Sequence, residues 1–319
     1  MEDEEEDCEI IINKLSHDYS PEAVTLGMLR NYSKEDTVIS NLISDVERGK
    51  LRPELAATKY KHVFKELSCV QGMLLRGNRV VIPQALQADV LALAHEGHPG
   101  VVSMLRQLLQ CVWWPRLTAD VTEYVKTCNI GCASAVPSNV SPPMTVRDTP
   151  EKPWQHCSAD FKGPIGGRYY FHVIIDNYSR WPEVEMTSST SMSDLSAVLD
   201  KCFAVHGVPE TITHDNGPPF NSEDWQRYAK ECGFQSISFP PKHPQSNGIG
   251  ERFMSVLVKI VHASIAEAKD PRIEVQRRLL NYRNTPHAST GKTPASLMMG
   301  RQIRTKLPQL ILVLTSAVH

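Results

Sequence analysis

No stretch of the 319 residues approaches ~20 uninterrupted apolar positions, so no membrane-spanning helix is expected. The opening run Met1-Glu2-Asp3-Glu4-Glu5-Glu6-Asp7-Cys8-Glu9 is acidic, unlike a secretory leader, and reads as a solvated tail. Cysteine is unpatterned. Eight residues, at positions 8, 69, 111, 128, 132, 157, 202 and 232, lack the spacing of a disulfide framework in a chain this long. A reducing compartment is expected, with most thiols acting as small buried apolar groups. Net charge is nearly absent at −2, which by itself is weak support for a polyanion ligand.

The charge that is there is unevenly placed. Residues 1–50 carry 13 acidic and 5 basic side chains, a balance of −8, which leaves +6 for the remainder. Residues 240–319 hold 12 basic and 4 acidic side chains, or +8. A basic C-terminal part behind an acidic tail is compatible with a polyanion, and equally with simple solubility.

The pattern changes along the chain. Residues 20–49 read as one or two short helices, with Val38, Leu42, Ile43 and Val46 at helical spacing. Met73 to Pro83 reads as a hairpin around Arg76-Gly77-Asn78. Residues 84–136 read as helical, and the Pro- and Ser-containing stretch 137–153 as a linker. From Trp154 the pattern is mixed: strands at 155–164, 168–177, 182–187, 210–214 and 234–239, and helices at 191–206, 222–232, 247–268 and 271–284. Three early strands joined by short turns predict an antiparallel meander, and helical crossovers to the later strands predict parallel pairing. The fold class is therefore α/β: a mixed five-stranded sheet flanked by helices.

Three acids suit this frame. Asp160 closes the run His156-Cys157-Ser158-Ala159-Asp160-Phe161. Asp215 opens Asp215-Asn216-Gly217-Pro218-Pro219-Phe220. Glu251 lies in Asn247-Gly248-Ile249-Gly250-Glu251-Arg252. Each has a plain structural use, as a strand end, a turn aspartate or a helix-start charge. Together, two acids at strand ends and one on a helix make a cluster that needs an opposite charge, and a divalent ion supplies it. Along the helix, Phe253, Leu257, Ile260 and Val261 form one face. Glu251, Ser255, Lys259 and His262 lie opposite, interrupted by Val258. Two divalent ions about 3.5–4 Å apart serve in-line displacement at phosphorus, so a metal-dependent enzyme acting on nucleic-acid phosphodiesters is expected.

His95, His98, Cys128 and Cys132 have the composition of a closed structural zinc site. The other reading is surface histidines and core-filling cysteines. Trp113, Trp114 and Trp181 read as core or interface groups, and Arg277, Arg278 and Arg283 as helix-surface charges.

Over residues 85–308 the chain resembles the integrases of gypsy-class LTR retrotransposons, relatives of retroviral integrases with an RNase H-like core. The resemblance rests on Trp114-Pro115, Cys128, Asp160-Phe161-Lys162-Gly163-Pro164 and the Asp215-Asn216-Gly217 turn. It continues through Pro244-Gln245-Ser246-Asn247-Gly248, Gly250-Glu251-Arg252, Asn281-Tyr282-Arg283-Asn284-Thr285-Pro286-His287 and Thr293-Pro294-Ala295. It implies that Asp160, Asp215 and Glu251 are catalytic ligands of Mg²⁺ or Mn²⁺. They would serve first to trim a DNA 3′ end with water and then to join that end to target DNA. It also implies a helical domain in which His95, His98, Cys128 and Cys132 hold Zn²⁺, DNA and a second copy of the chain as partners, and action in the nucleus. Two departures stand out. Three residues separate the cysteines where the family usually has two, and Lys259 follows by one position the place of the family's basic residue, here Val258.

Lys242, Gln245, Ser246, Asn247, Arg252 and Lys259 are the expected DNA contacts, or a solvated loop and helix edge. The expected organisation is an acidic tail and helical spacer (1–77), a His2Cys2 zinc-binding domain (78–137), a linker (138–153), the catalytic core (154–308) and an apolar tail (309–319). Family members continue into a β-rich DNA-binding domain that this sequence does not show. Hence the second reading is a host-retained, catalytically idle nucleic-acid- or protein-binding remnant. A related nuclease is the third.

Overall fold

The computed structural model describes residues 22–56, 59–128, 150–238 and 248–309, with the backbone alone for residues 56 and 248–252. The chain forms two compact units, one built from residues up to Cys128 together with the segment from Arg304, the other from residues up to Ile303.

In the first unit, Thr25 starts α1 (Leu26–Glu35) by accepting the amide of Met28. Asp36 starts α2 (Thr37–Arg48) by accepting those of Val38 and Ile39. Both side chains satisfy amides that a helix start leaves without partners. After the single turn α3 (Pro53–Ala56) come β1 (Leu67–Val70), β2 (Met73–Arg76) and β3 (Arg79–Val81). Then follow α4 (Gln84–His95), α5 (Val101–Leu108), the two-residue β4 (Val112–Trp113) and α6 (Leu117–Thr127).

The strands form one sheet in the order β1-β2-β3-β4. The first three are antiparallel, and β4 joins β3 in parallel through Val80↔Val112. Alternation along these short strands buries both faces. Met73, Leu75 and Val80 pack with Leu86, Val90, Met104, Leu108 and Val121 from α4, α5 and α6. Leu74, Val81 and Trp113 pack with Ile39 and Leu42 from α2. The hairpin expected around Arg76-Gly77-Asn78 is the β2–β3 pair, so residues 77 and 78 lie in a turn inside this sheet. Leu307 enters the first of these cores. Beside it the amide of Val24 donates to the Lys306 carbonyl at 3.1 Å, and Lys306 Nζ lies 2.6 Å from Glu96 Oε1.

The second unit runs β5 (His156–Ile165), β6 (Tyr169–Asp176), β7 (Pro182–Thr187), α7 (Met192–His206), β8 (Thr211–His214), α8 (Glu223–Cys232), β9 (Gln235–Ser238), α9 (Gly248–Ala266), α10 (Pro271–Arg283) and α11 (Pro294–Met299). The sheet order is β7-β6-β5-β8-β9, antiparallel through β5, β6 and β7 and parallel through β8 and β9. This is the mixed, RNase H-like sheet expected from the sequence.

Its two faces are sorted by residue parity. Cys157, Ala159, Ile174 and Ile212 pack on α7 and α8 through Leu195, Leu199 and Trp225. Phe171, Val173, Ile175 and Val184 pack on α9 and α10 through Phe253, Leu257, Ile260 and Leu279. Trp113, Trp114 and Trp181, read as core or interface groups, are buried.

Asp176 is fully buried at the end of β6, where its carboxylate gathers the following turn. It accepts the amides of Trp154 (3.0 Å), Tyr178 (3.2 Å) and Ser179 (2.9 Å), and the Ser179 hydroxyl. Asp176→Ala strands these donors in the core, and each stranded donor costs about 1–3 kcal/mol. A loss of at least about 3 kcal/mol in stability is expected from urea unfolding, and a loss below about 1 would contradict this account.

The arginines correct the reading of α10 as carrying only surface charge. Arg277 pairs with Glu274 at 2.6 Å, but Arg278 is 6% exposed. Arg283 stacks on Trp181 at 4.2 Å and lies 2.8 Å from Glu183 Oε2. Helical spacing cannot separate exposed from inward-facing arginines when a helix packs on two sides. Glu183 also accepts the Trp181 indole N–H at 2.8 Å and lies 2.7 Å from His206 Nε2. Burial pushes its carboxyl pKa up, but the His206 bond, the Arg283 charge and the Trp181 bond outweigh burial and hold it below its ordinary 4.5. A group depressed in this way stabilises the fold above the unfolded pKa, and the gain disappears as pH falls through the folded value. Glu183→Gln should therefore lower the urea midpoint at neutral pH and lower it much less at about pH 3. A gap independent of pH would refute this.

Candidate active site and metal centre

Asp160 stands on β5 directly opposite Val173, so its half-buried side chain faces the α9 side of the sheet. On the other side β5 runs parallel to β8, with Ser158 in register with Thr213. The hydroxyls of Ser158 and Thr213 lie 3.0 Å apart and therefore share a face. Two residues further along each chain come Asp160 and Asp215. Strand periodicity of two places both acids on that same face: Asp160 stands midway along β5, two residues past the end of its parallel ladder with β8 rather than at the strand end its sequence suggested, and Asp215 lies just past the end of β8. Adjacent strands lie about 4.8 Å apart, which suits a shared ligand, and this end of a parallel pair is where open α/β sheets bind their ligands.

Asp215 is exposed and follows the last residue of β8. Its Oδ1 accepts the amide of Gly217 at 3.2 Å, so the turn role that its sequence suggested is real. Gly217 leaves room for the carboxylate, since a Cβ there would stand 3.2 Å from Asp215 Oδ2.

Glu251 lies in the first turn of α9, whose Phe253, Met254, Leu257 and Ile260 pack on the sheet face that bears Asp160. The side chains of Glu251 and Arg252 lie outside the described residues. So do Lys242, Gln245, Ser246, Asn247 and Cys132 in their entirety. Further along α9, Ser255 and His262 are exposed and Lys259 is half-buried.

Behind Asp215 is a group that the sequence reading passed over. His214 is 1% exposed and points to the opposite face of the sheet, into the aromatic cluster of Phe220 and Trp225. Its Nδ1 lies 2.6 Å from the Asp215 carbonyl oxygen, and its Nε2 lies 2.7 Å from Ser236 Oγ. Burial pushes the imidazole pKa down, more than the Asp215 carbonyl and carboxylate push it up. The available signal was alternation: if Asp215 faces one way, its neighbour must face the core.

The second cluster lies in the first unit. His95 ends α4, and Gly97 and His98, at φ 74° and 50°, turn the chain back before α5. The ligand atoms of His95, His98 and Cys128 all lie within 4.8 Å of one another, and Cys128 Sγ is 3.4 Å from His98 Nδ1. Bond lengths of about 2.3 Å for sulfur and 2.0–2.1 Å for nitrogen give a tetrahedral edge of about 3.6 Å, so the separation fits zinc. The imidazoles of His95 and His98 stand at 90° with centroids 5.3 Å apart, which lets both rings direct a nitrogen at one point. Tyr124 packs against His95 at 5.3 Å, and its phenol pKa is pushed up by burial and by the neighbouring Cys128.

Comparison with known families matches residues 82–135 to the integrase zinc binding domain and residues 150–244 to the integrase core domain. The first range contains His95, His98, Cys128 and Cys132, and the second contains Asp160 and Asp215. An uncharacterised protein of Caenorhabditis elegans is 33% identical over 294 residues, 90% of this chain and 23% of its own length. The Pro-Pol polyprotein of simian foamy virus type 3 is 28% identical over 250 residues, 75% of this chain and 22% of its own. The chain thus spans less than a quarter of these curated relatives. Among solved structures, a chain of the simian T-cell lymphotropic virus intasome in complex with PP2A regulatory subunit B56 gamma superposes with a TM-score of 0.46. The alignment has 16% identity and covers 67% of this chain and 74% of that one.

Proposed function

Because the chain carries the zinc-binding and core domains of the retroviral-type integrases, we propose that it is a metal-dependent DNA strand transferase. The observation that carries this reading is the parallel register of β5 and β8, which pairs Ser158 with Thr213 two residues before Asp160 and Asp215. With Glu251 on α9 they are the groups to hold Mg²⁺ or Mn²⁺, hard cations that take a few carboxylates and complete their shells with water and phosphate oxygens. Such ions, when bound, activate the attacking oxygen and neutralise the leaving one.

The reaction is an in-line displacement performed twice. In the first, a water oxygen bonds to phosphorus and the 3′ oxygen of the DNA end leaves. In the second, that 3′-hydroxyl bonds to a target phosphorus and the target's 3′ oxygen leaves. Lys242, Gln245, Ser246, Asn247, Arg252 and Lys259 are the proposed phosphate contacts, and their share of affinity should fall with salt. Joining two ends requires two active sites, so a homo-oligomer is the proposed working state. Zn²⁺ held by His95, His98, Cys128 and Cys132 has a structural role.

The test is incubation of the chain with Mn²⁺ and oligonucleotides bearing terminal-repeat sequence, wild type beside Asp160→Asn. Joined products that depend on Asp160 support the reading. DNA binding without joining, unchanged by the substitution, would leave a binding module in its place.

A further inference from the structure

We propose that His214 is a positioning residue for Asp215, holding the peptide that bears this carboxylate through a hydrogen bond from its Nδ1–H to the Asp215 carbonyl; the inference rests on the reading of Asp215 as a catalytic acid. The proton can be placed by elimination. An indole N–H only donates. That of Trp225 lies 2.8 Å from Ser236 Oγ and 3.2 Å from His214 Nε2. A carbonyl only accepts, so the contact with Asp215 O requires a proton on Nδ1, while the Trp225 N–H directed at Nε2 meets a lone pair there, and Ser236 Oγ lies 2.7 Å from the same nitrogen. Nε2 is therefore an acceptor, the ring proton sits on Nδ1, and Nδ1–H donates to the Asp215 carbonyl at 2.6 Å.

The ring is held on every side. It stacks on Phe220 at 4.7 Å and 19°, meets the edge of Trp225 at 5.3 Å, and is 1% exposed. Its anchors come from different elements, Trp225 on α8 and Ser236 on β9, where Ser236 is in register with Ile212.

Asp215 requires such a hold. Among the described residues the ladder to β5 ends at Thr213 and the ladder to β9 at His214, so neither of these ladders includes the acid. Beyond it the chain enters a turn through the exposed Asn216 and the half-buried Gly217. The imidazole bond carries the order of the buried sheet one residue further. Groups that hold a ligand from behind typically matter by 10–100-fold in metal affinity.

The test uses the full chain as wild type, His214→Phe, His214→Asn and Asp215→Asn. Phe keeps the ring packing and removes the donor. Asn returns an amide N–H close to where Nδ1 stands. Mn²⁺ affinity is read from the electron paramagnetic resonance signal of the free ion. Amide hydrogen exchange of Asn216 and Gly217 is read without metal. His214→Phe should weaken Mn²⁺ binding by about 10–100-fold and speed exchange, while His214→Asn stays within about threefold of wild type in both. Wild-type behaviour of His214→Phe overturns the proposal. So does a His214→Asn as impaired as His214→Phe when both melt like wild type. If wild type takes up no Mn²⁺ and Asp215→Asn changes nothing, the catalytic reading fails, and the exchange rates alone then decide whether His214 holds the turn.

Discussion

Asp160→Asn should reduce DNA joining in Mn²⁺ by on the order of 10³-fold, because each ion at such a site stabilises transition-state charge by several kcal/mol. The fold should survive. Asp160 sits within the backbone ladder of β5 and β6, and Asn preserves its shape. Removing one of two neighbouring like charges also relieves repulsion when no cation is bound. Asp215→Asn should behave in the same way, since an amide oxygen can still accept the Gly217 amide. Gel separation of joined from unjoined oligonucleotides reads the activity, and thermal melting reads the fold. Joining within tenfold of wild type by either folded variant would remove these carboxylates from the chemistry.

Removing zinc should have the next largest effect. His98 occupies left-handed backbone, which costs a residue with a Cβ about 1–2 kcal/mol, and a turn held in that form needs a compensating contact. Structural zinc contributes about 10–16 kcal/mol of apparent binding energy in small domains. Here the unit also has a two-faced sheet and the apolar contacts of Leu86, Val90, Leu108 and Val121, so chelation should loosen it rather than abolish it. A fall of at least about 10 °C in its melting temperature, with lost helicity, is expected on adding a chelator. His98→Ala should show the lowered melting temperature from the outset and respond no further to chelator. Identical melting and helicity with and without chelator would exclude a structural metal.

The second unit was legible in the sequence because its elements are long enough to show their period. β5 to β7 have 10, 8 and 6 residues, and α7 and α9 have 15 and 19. Their limits fall within two residues of those read from alternation and helical spacing. The first unit was less legible. β4 has two residues and β3 has three, too few for periodicity, and β4 becomes a strand only because Val80 and Val81 lie alongside it. The acids stand out in the sequence because turn and motif chemistry marks them. His214 was missed because a histidine inside a four-residue strand carries no such mark, and its partners Trp225 and Ser236 come from elements 11 and 22 residues away. Arg278 was misjudged because its burial depends on the α9 and β7 packing of α10, which helical spacing does not contain.

The contact of Lys306 and Leu307 with the first unit bears on how the chain is made. The Lys306–Glu96 pair closes a separation of 210 residues, and the whole second unit lies within it. A ribosome therefore delivers nearly all of the first core, then a complete second unit, and only afterwards the strip that seals the first. Closing so long an open loop is slow, but a second unit that folds early shortens the effective span before the strip arrives. The first unit begins folding first and finishes last. During that interval the apolar surface awaiting Leu307 is open to solvent and available for misassembly.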